Sequence, residues 1–282
     1  MNRETLNQSP LLVLRDLMGK LDVTWSFDHD ANPVHAVFEY PSASEDRAYR
    51  CNAALGDQAL RLSIQAFLKG EPTTERLQAL DEVNAQWGMG RVYYDESHGH
   101  FDLTIGLYLG AGLPGPNLLR ETLTHLIESG PKIGRLEAPK FQSKLAICPP
   151  CTVTDIHEVL SSQGLSPTTK TDRDLVGLRL TYSEMLDIVM EFQVDEFQVL
   201  RVGVLENNPV GITDEETIFR SLQDINRGLN FGTMFFDRGN GRCVYSMSIP
   251  LAWFTFDEAM ARWLVQQASR VMIQLKKDMH RS

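Results

Sequence analysis

LDEVNAQWGMGRVYYDESHGHFDLTIGLYLG, residues 80–110, aligns without a gap on LQDINRGLNFGTMFFDRGNGRCVYSMSIPLA, residues 222–252. The spacing between matched residues is constant at 142 positions (222 − 80). The identical pairs are Leu80/Leu222, Asn84/Asn226, Gly90/Gly232, Asp95/Asp237, Gly99/Gly241 and Leu109/Leu251. Self-similarity at one spacing is the signature of a repeated structural unit, so we predict that the chain contains one unit twice.

The same spacing extends to a second, separate segment. It places Val34, Ala36, Phe38 and Tyr40 on Val176, Leu178, Leu180 and Tyr182. Because one spacing serves two segments, we predict a tandem duplication, with repeat 1 at residues 1–131, a linker at 132–151 and repeat 2 at 152–282. A length of 282 residues fits two domains of ordinary size.

Helices are predicted at the start, in the middle and at the end of each repeat. Ser9 as N-cap and Pro10 at the first helical position begin the first helix, and Thr154 is the expected N-cap of its counterpart. Apolar residues at helical spacing form the core stripes Leu11, Leu14, Leu17, Met18 and Leu21, then Leu77, Leu80, Val83 and Trp87, and in repeat 2 Phe219, Leu222, Ile225 and Leu229. The closing helices are predicted at 117–129 and 256–279.

Strands are predicted between these helices because apolar and polar residues alternate with a period of two. In repeat 1 they cover residues 34–40 and 60–66, with a less regular middle strand at 44–53. Two more strands flank the turn DESHG at 95–99, whose Asp and Gly favour a hairpin, as in DRGNG at 237–241. The predicted fold class is α+β: two tandem α-βββ-α-ββ-α units, each a five-stranded antiparallel sheet with helices packed on one face.

Residues that both repeats keep carry a resemblance to a known family. They are an Asn inside the second helix (Asn84, Asn226), a Gly at its end (Gly90, Gly232) and an aromatic-Asp strand end before a Gly turn (Tyr94-Asp95…Gly99, Phe236-Asp237…Gly241). Together with the order of elements, this pattern resembles the YbjN family, whose fold is similar to that of type III secretion chaperones. The resemblance covers most of both repeats.

The resemblance implies a non-enzymatic protein that acts as a sensory-transduction regulator or a chaperone-like module. It implies no catalytic residues, no cofactor and no metal. Units of this kind are generally dimeric, so we expect the two repeats to pair as a pseudo-dimer; a homodimer of the whole chain is the other assembly to consider.

Cys148-Pro-Pro-Cys151 is the sharpest chemical motif. A dithiol before a helix is typical of redox sites, because the helix N-terminus lowers the pKa of the first thiol. The motif lies in the predicted linker, however, and one CxxC supplies only half of a zinc site. We therefore expect an ordinary linker, and thiol redox activity through Cys148 and Cys151 is an alternative function.

Three other features are expected to have a structural role and no catalytic or binding role. His98-Gly-His100 beside Asp95 could hold a metal ion, but the matching turn of repeat 2 has Asn240 and Arg242 instead, so a solvated turn is expected. Asn84 and Asn226 are expected to hydrogen-bond a helix end or a neighbouring strand. The glycine-rich stretch 110–116 lacks the Lys-Ser/Thr ending of a phosphate-binding loop, so a plain loop is expected.

Charge and composition narrow the class of function. The chain has 27 basic and 37 acidic residues, a formal net charge of −10, which argues against nucleic-acid and anionic-lipid binding. Four cysteines are too few for a disulfide scaffold, and Glu4 and Asp16 interrupt any secretory signal, so we expect a cytoplasmic protein.

The leading hypothesis is an interaction protein that binds another polypeptide through its sheets or helices. Its negative charge favours a partner with basic segments. Apolar surface is expected at Trp253 and Phe254 and along the last helix, where Val265 and Ile273 lie off the main stripe. A thiol redox protein and a small-ligand sensor are the alternatives.

Overall fold

A computed structural model describes most of the chain. The described residues are 10–28, 35–42, 46–56, 58–110, 114–140, 150–170, 172–183, 186–206, 215–251 and 254–279. The contacts divide the chain into two compact units, of which the first comprises residues 1–141 and 226–232 and the second comprises 142–225 and 233–282. The predicted repeat boundaries, at 131 and 152, stay a prediction.

The first nine elements follow one another along residues 10–134. They are α1 (Pro10–Gly19), β1 (Trp25–Asp28), β2 (His35–Pro41), β3 (Ala48–Gly56), β4 (Ala59–Lys69), α2 (Thr74–Trp87), β5 (Gly90–Asp95), β6 (His100–Tyr108) and α3 (Pro116–Gly134). The next nine are α4 (Val153–Ser162), β7 (Thr168–Lys170), β8 (Leu175–Ser183), β9 (Leu186–Val194), β10 (Val199–Glu206), α5 (Glu215–Gly228), β11 (Thr233–Asp237), β12 (Arg242–Pro250) and α6 (Glu258–Met279).

The two halves of this list build the same sheet twice, so the structure is mixed α+β. The strand orders among the described residues are β1-β2-β3-β4-β6-β5 and β7-β8-β9-β10-β12-β11, antiparallel throughout. Each sheet therefore has six strands, and the predicted α-βββ-α-ββ-α unit with five strands is wrong in its count. The missed strands, β1 and β7, have only four and three residues, too short to show an alternating pattern.

Most residues of the predicted apolar stripes lie in the core, whereas Leu11, Ile225 and Leu229 are only half-buried. In the first unit α1 packs on β2 and β3, and α3 packs on β4 and β6. Leu14, Leu17 and Met18 of α1 are buried, as are Leu77, Leu80, Val83 and Trp87 of α2. In the second unit α4 packs on β8 and β9, and α6 packs on α4, β9 and β12. The helix–sheet packing of these residues confirms the helical periodicity seen in the sequence.

Strand β6 departs from the expected alternation, because its residues from Phe101 to Tyr108 are all buried. One reason is the segment 226–232, which lies against β6. A Cβ atom added to Gly106 would be 2.8 Å from the backbone oxygen of Asn230, so glycine permits this close approach. The sheet is thus covered on both faces at this strand.

The strand ladders confirm part of the predicted alignment and correct the rest. Strands β6 and β12, and also β5 and β11, correspond at the spacing of 142 residues. Counting across the ladders from β6 and β12, Ala36 corresponds to Val176, not to Leu178 as the alignment predicted. The cause lies between β10 and β11, because the chain advances 34 positions from Val199 to Thr233 but only 32 from the matching Ala59 to Arg91.

Several boundaries also differ from those predicted. Pro10 begins α1 as predicted, whereas its expected cap Ser9 lies outside the described residues. The N-cap of α4 is Thr152, not Thr154, because Thr152 and Asp155 form a capping box. Helix α3 extends beyond the predicted 117–129 to Gly134. The less regular strand predicted at 44–53 is β3, at Ala48–Gly56.

None of the helices in the described part of the chain is both long enough and apolar enough to span a membrane.

Candidate functional site

The turn between β5 and β6 brings titratable side chains together. Asp95 ends β5, His98 lies in the turn, and His100 begins β6. The potential ligand atoms of these three residues lie within 4.8 Å of one another. Nδ1 of His98 is 2.8 Å from Oδ2 of Asp95, and the rings of His98 and His100 have centroids 5.5 Å apart. The spacing of these residues in the sequence already indicated the cluster, and the β5–β6 hairpin explains why the three side chains lie close together.

The Asp95 carboxylate is held in place by its own turn. The Ser97 backbone N–H donates to Oδ1 at 3.0 Å, which is an Asx turn. Burial tends to raise the pKa of Asp95, but hydrogen bonds from Ser97 and His98 outweigh it and hold the pKa below its usual value. The carboxylate is therefore ionised at neutral pH, with Oδ2 directed at His98.

A second carboxylate, Asp102, lies beside the imidazole of His100. Nε2 of His100 lies 3.0 Å from Oδ1 of Asp102, and Asp102 is only 5% exposed. The Ala66 N–H donates to the same Oδ1 at 3.0 Å, from a residue with φ of 51° where the β4–β6 register shifts. Burial raises the pKa of Asp102. The sequence did not indicate Asp102, because its role depends on the bulge in β4.

The corresponding turn of the second unit keeps the backbone geometry without the imidazoles. Asp237 accepts the Gly239 N–H at 2.9 Å, as Asp95 accepts that of Ser97. Asn240 and Arg242 stand where the first unit has His98 and His100, and Asn240 donates to Asp237. The hairpin thus forms without histidine. Asn240 makes with Asp237 the contact that His98 makes with Asp95, so the structural role predicted for the turn accounts for His98 and leaves His100 unexplained.

Asn84 and Asn226 lie near the C-terminal ends of α2 and α5. Asn84 is fully buried; its amide nitrogen donates to the Val92 carbonyl at 2.9 Å, and its amide oxygen accepts the Val92 N–H at 2.8 Å. Asn84 therefore fixes β5 against α2, and the structural role predicted for it is confirmed. Asn226 is also fully buried, and its backbone carbonyl accepts a hydrogen bond from Arg91.

The cysteine motif is described only at its second residue, because Cys148 lies outside the described residues. Burial raises the pKa of Cys151 to about 11, with a further contribution from the Asp155 carboxylate. Cys151 is therefore protonated at neutral pH, while the thiol that a dithiol redox site activates is the first one, here Cys148. Residues 111–113 of the glycine-rich stretch also lie outside the described residues, and Pro116 begins α3.

Two buried polar groups of the first unit were not indicated by the sequence. The Arg91 guanidinium donates to the backbone carbonyls of Asn226, Gly232 and Leu229, the first two at 2.7 Å. Trp87 donates its indole N–H to Nε2 of His125 at 3.3 Å. Burial lowers the pKa of His125 to about 4, with a smaller effect from Lys132. Both groups connect segments far apart in the chain, which sequence periodicity does not report.

The outer strand β1 presents an aromatic pair. Trp25 and Phe27 are half-buried and contact each other edge to face, with ring centroids 5.0 Å apart. The corresponding outer strand of the second unit, β7, has the sequence Thr168-Thr169-Lys170, and all three residues are exposed. The two sheets thus share a topology but differ in the chemistry of this edge.

No protein-family model, curated protein or solved structure matches this chain. The resemblance to the YbjN family therefore stays a prediction.

Proposed function

We propose that the protein is a non-enzymatic module that binds another polypeptide, in a chaperone-like or regulatory role. The observation that carries this proposal is the difference between β1 and β7. Outer strands expose backbone N–H and C=O groups that pair with an added strand, and proteins that avoid such pairing place polar or charged residues there. Strand β7 is polar throughout and carries Lys170. The charged residue of β1, Asp28, lies 3.6 Å from His35 of β2, and β1 also carries Trp25 and Phe27.

The partner segment is an extended peptide that adds to β1 as a seventh strand. In such complexes the backbone supplies affinity and alternate side chains supply specificity. Trp25 and Phe27 lie two residues apart, hence on the same side of β1, and would contact apolar side chains at alternate positions of the partner. The net charge of −10 favours partner segments with Lys or Arg.

We place this activity in the cytoplasm. Cys51 and Cys151 are free thiols, which suits a reducing compartment. The pairing of the two repeats into a pseudo-dimer stays a prediction.

The proposal is tested with edge variants of the full chain. Phe27→Lys and Ser26→Lys each add a charge to β1, and Ser26 is exposed, so its replacement leaves the core intact. Thr169→Lys is the matched control, because the strand ladders place Thr169 of β7 at the position of Phe27. Proteins retained by the wild-type chain are identified by mass spectrometry, and the affinity of the purified partner is measured by calorimetry.

We expect both β1 variants to weaken binding at least about tenfold, since a charge at a strand edge prevents pairing. The Thr169→Lys variant should bind like the wild type. A partner that binds all three variants equally would disprove the β1 site, and a chain that retains no protein would disprove the proposed function.

A further inference from the structure

We propose that Asp95, His98 and His100 form a binding site for one divalent transition-metal ion, with Zn²⁺ as the representative ion. Two imidazoles and a carboxylate are ligands that Zn²⁺ accepts, and a water molecule commonly completes a tetrahedral site of this kind. The site is independent of the proposed peptide-binding strand, because it lies on the β5–β6 hairpin at the opposite edge region of the sheet from β1.

The distances between the ligand atoms are compatible with a metal. Ligands about 2.1 Å from a tetrahedral ion are about 3.4 Å from one another. The three groups already lie within 4.8 Å, and Nδ1 of His98 is 2.8 Å from Oδ2 of Asp95. The His98 side chain is 65% exposed, so it can rotate by the small amount that metal binding requires. The ion would replace the proton between His98 and Asp95.

Asp102 has the position of the outer carboxylate found behind many metal-binding histidines. It lies 3.0 Å from Nε2 of His100 without hydrogen-bond geometry, and a small rotation of the ring that forms this hydrogen bond would hold the N–H on that nitrogen and leave Nδ1 for the ion. Asp102 is itself fixed by the Ala66 N–H, so the carboxylate is in position before any metal binds. Such partners typically contribute about 10–100-fold to metal affinity.

The second unit shows that the turn folds without the two histidines. Its turn forms the same Asx hydrogen bond with Asn240 and Arg242 in place of His98 and His100. Its residue at the position of Asp102 is Val244, so the outer carboxylate is missing as well. The three groups that add metal-binding capacity therefore occur together in the first unit and are replaced together in the second.

One neighbouring charge opposes the ion. Nη1 of Arg227, in the segment 226–232 of the first unit, is 3.9 Å from Oδ1 of Asp95. A guanidinium at this distance repels a cation and competes for the carboxylate. The Arg227→Gln variant should therefore bind Zn²⁺ more tightly than the wild type, a change opposite to that of any ligand variant.

The test is a calorimetric titration of the chelator-treated full chain with ZnCl₂. We expect one Zn²⁺ per chain, and a loss of affinity of at least about tenfold in His98→Gln, His100→Gln and Asp102→Asn. His157→Gln is the matched control, because His157 lies on α4 of the second unit, outside the cluster. The double variant Cys148→Ser with Cys151→Ser separates this site from zinc binding by the thiols.

Each outcome bears on the proposal. Binding that survives in the cysteine variant and is lost in His98→Gln and His100→Gln supports it, as does tighter binding in Arg227→Gln. Absence of binding by the wild type, binding lost only in the cysteine variant, or equal loss in His157→Gln would overturn it. Circular dichroism of each variant without metal confirms that the fold is kept, and none of these results depends on a protein partner.

Discussion

Arg91 is the residue whose burial most needs explanation, because a charged side chain is stable inside a protein only when its donors are satisfied. It has no exposed surface, and its guanidinium donates to three backbone carbonyls of the segment 226–232. Two of these acceptors, Asn226 and Leu229, belong to the C-terminal end of α5 or follow it directly, where carbonyls lack helical partners and the helix dipole favours a cation.

We predict that Arg91→Met lowers the free energy of unfolding by about 3 kcal/mol, because the carbonyls of Asn226, Leu229 and Gly232 then lose their donor. Arg91→Lys should rescue little, since an ammonium cannot match the planar set of donors. Arg50→Met, at an exposed arginine of β3, is the control and should change stability by less than about 0.5 kcal/mol. Urea unfolding measures all three; equal effects at Arg91 and Arg50 would contradict the assigned role.

Gly106 of β6 lies against the same segment, 226–232, whose carbonyls accept the hydrogen bonds of Arg91. We predict that Gly106→Ala destabilises the protein by about 1–3 kcal/mol, because its Cβ would be 2.8 Å from the Asn230 backbone oxygen. Gly203→Ala in β10 is the matched control, since no atom lies within 4 Å of a Cβ added there. Thermal unfolding that shows the same shift for both variants would refute the contact.

At the scale of elements, the sequence predicted the helices and hairpins that show a clear pattern within a short stretch of residues. Turn residues predicted the hairpins β5–β6 and β11–β12, and the strand ladders confirm them. Helical periodicity predicted the apolar stripes of α1, α2 and α6, and the burial of most of these residues confirms them. Strands β1 and β7 were not predicted, because four and three residues are too few to show an alternating pattern. The alignment of β2 with β8 was wrong by two residues, because two extra residues between β10 and β11 shift the register while preserving the alternation of faces.

The candidate sites also contain some features that the sequence predicted and others that it did not. The proximity of Asp95, His98 and His100 follows from a hairpin turn, so spacing in the sequence was enough to identify it. The contributions of Asp102, of the Ala66 bulge and of Arg91 were not predictable, because each joins strands or segments distant in the chain. The half-buried pair Trp25 and Phe27 became recognisable only once β1 was seen to be an outer strand.

The contact between α2 and α3 makes stability depend on pH. The pKa of His125 is about 4 in the folded protein and near 6.5 when unfolded, so neutral His125 stabilises the fold above pH 6.5. This stabilisation is lost as the pH falls from about 6.5 towards 4, where only the unfolded chain binds the proton. We predict a loss of about 2 kcal/mol between pH 7 and pH 4.5 from this group.

His125→Gln isolates this effect, because glutamine still accepts the Trp87 N–H and does not titrate. Urea unfolding at several pH values should show a smaller decline below pH 6.5 in His125→Gln than in the wild type. Identical pH profiles for the two proteins would show that His125 does not contribute.

At the scale of the whole molecule, two units repeat one topology and differ in chemistry. The first unit has the aromatic outer strand β1 and the histidine-bearing turn, whereas the second has a polar β7 and a turn without histidine. A shared fold sets the positions of these features, but function depends on the residues that occupy them. We therefore assign binding of both kinds to the first unit.

The most direct test is hydrogen–deuterium exchange of the full chain, measured with and without the purified protein partner. Strand addition predicts slower exchange of the amides of Trp25–Asp28 in the complex, because new backbone hydrogen bonds protect them, and unchanged exchange at Thr168–Lys170. Unchanged exchange at Trp25–Asp28 in a saturated complex, or equal protection of β7, would contradict the central claim that the partner binds at the edge of the first sheet.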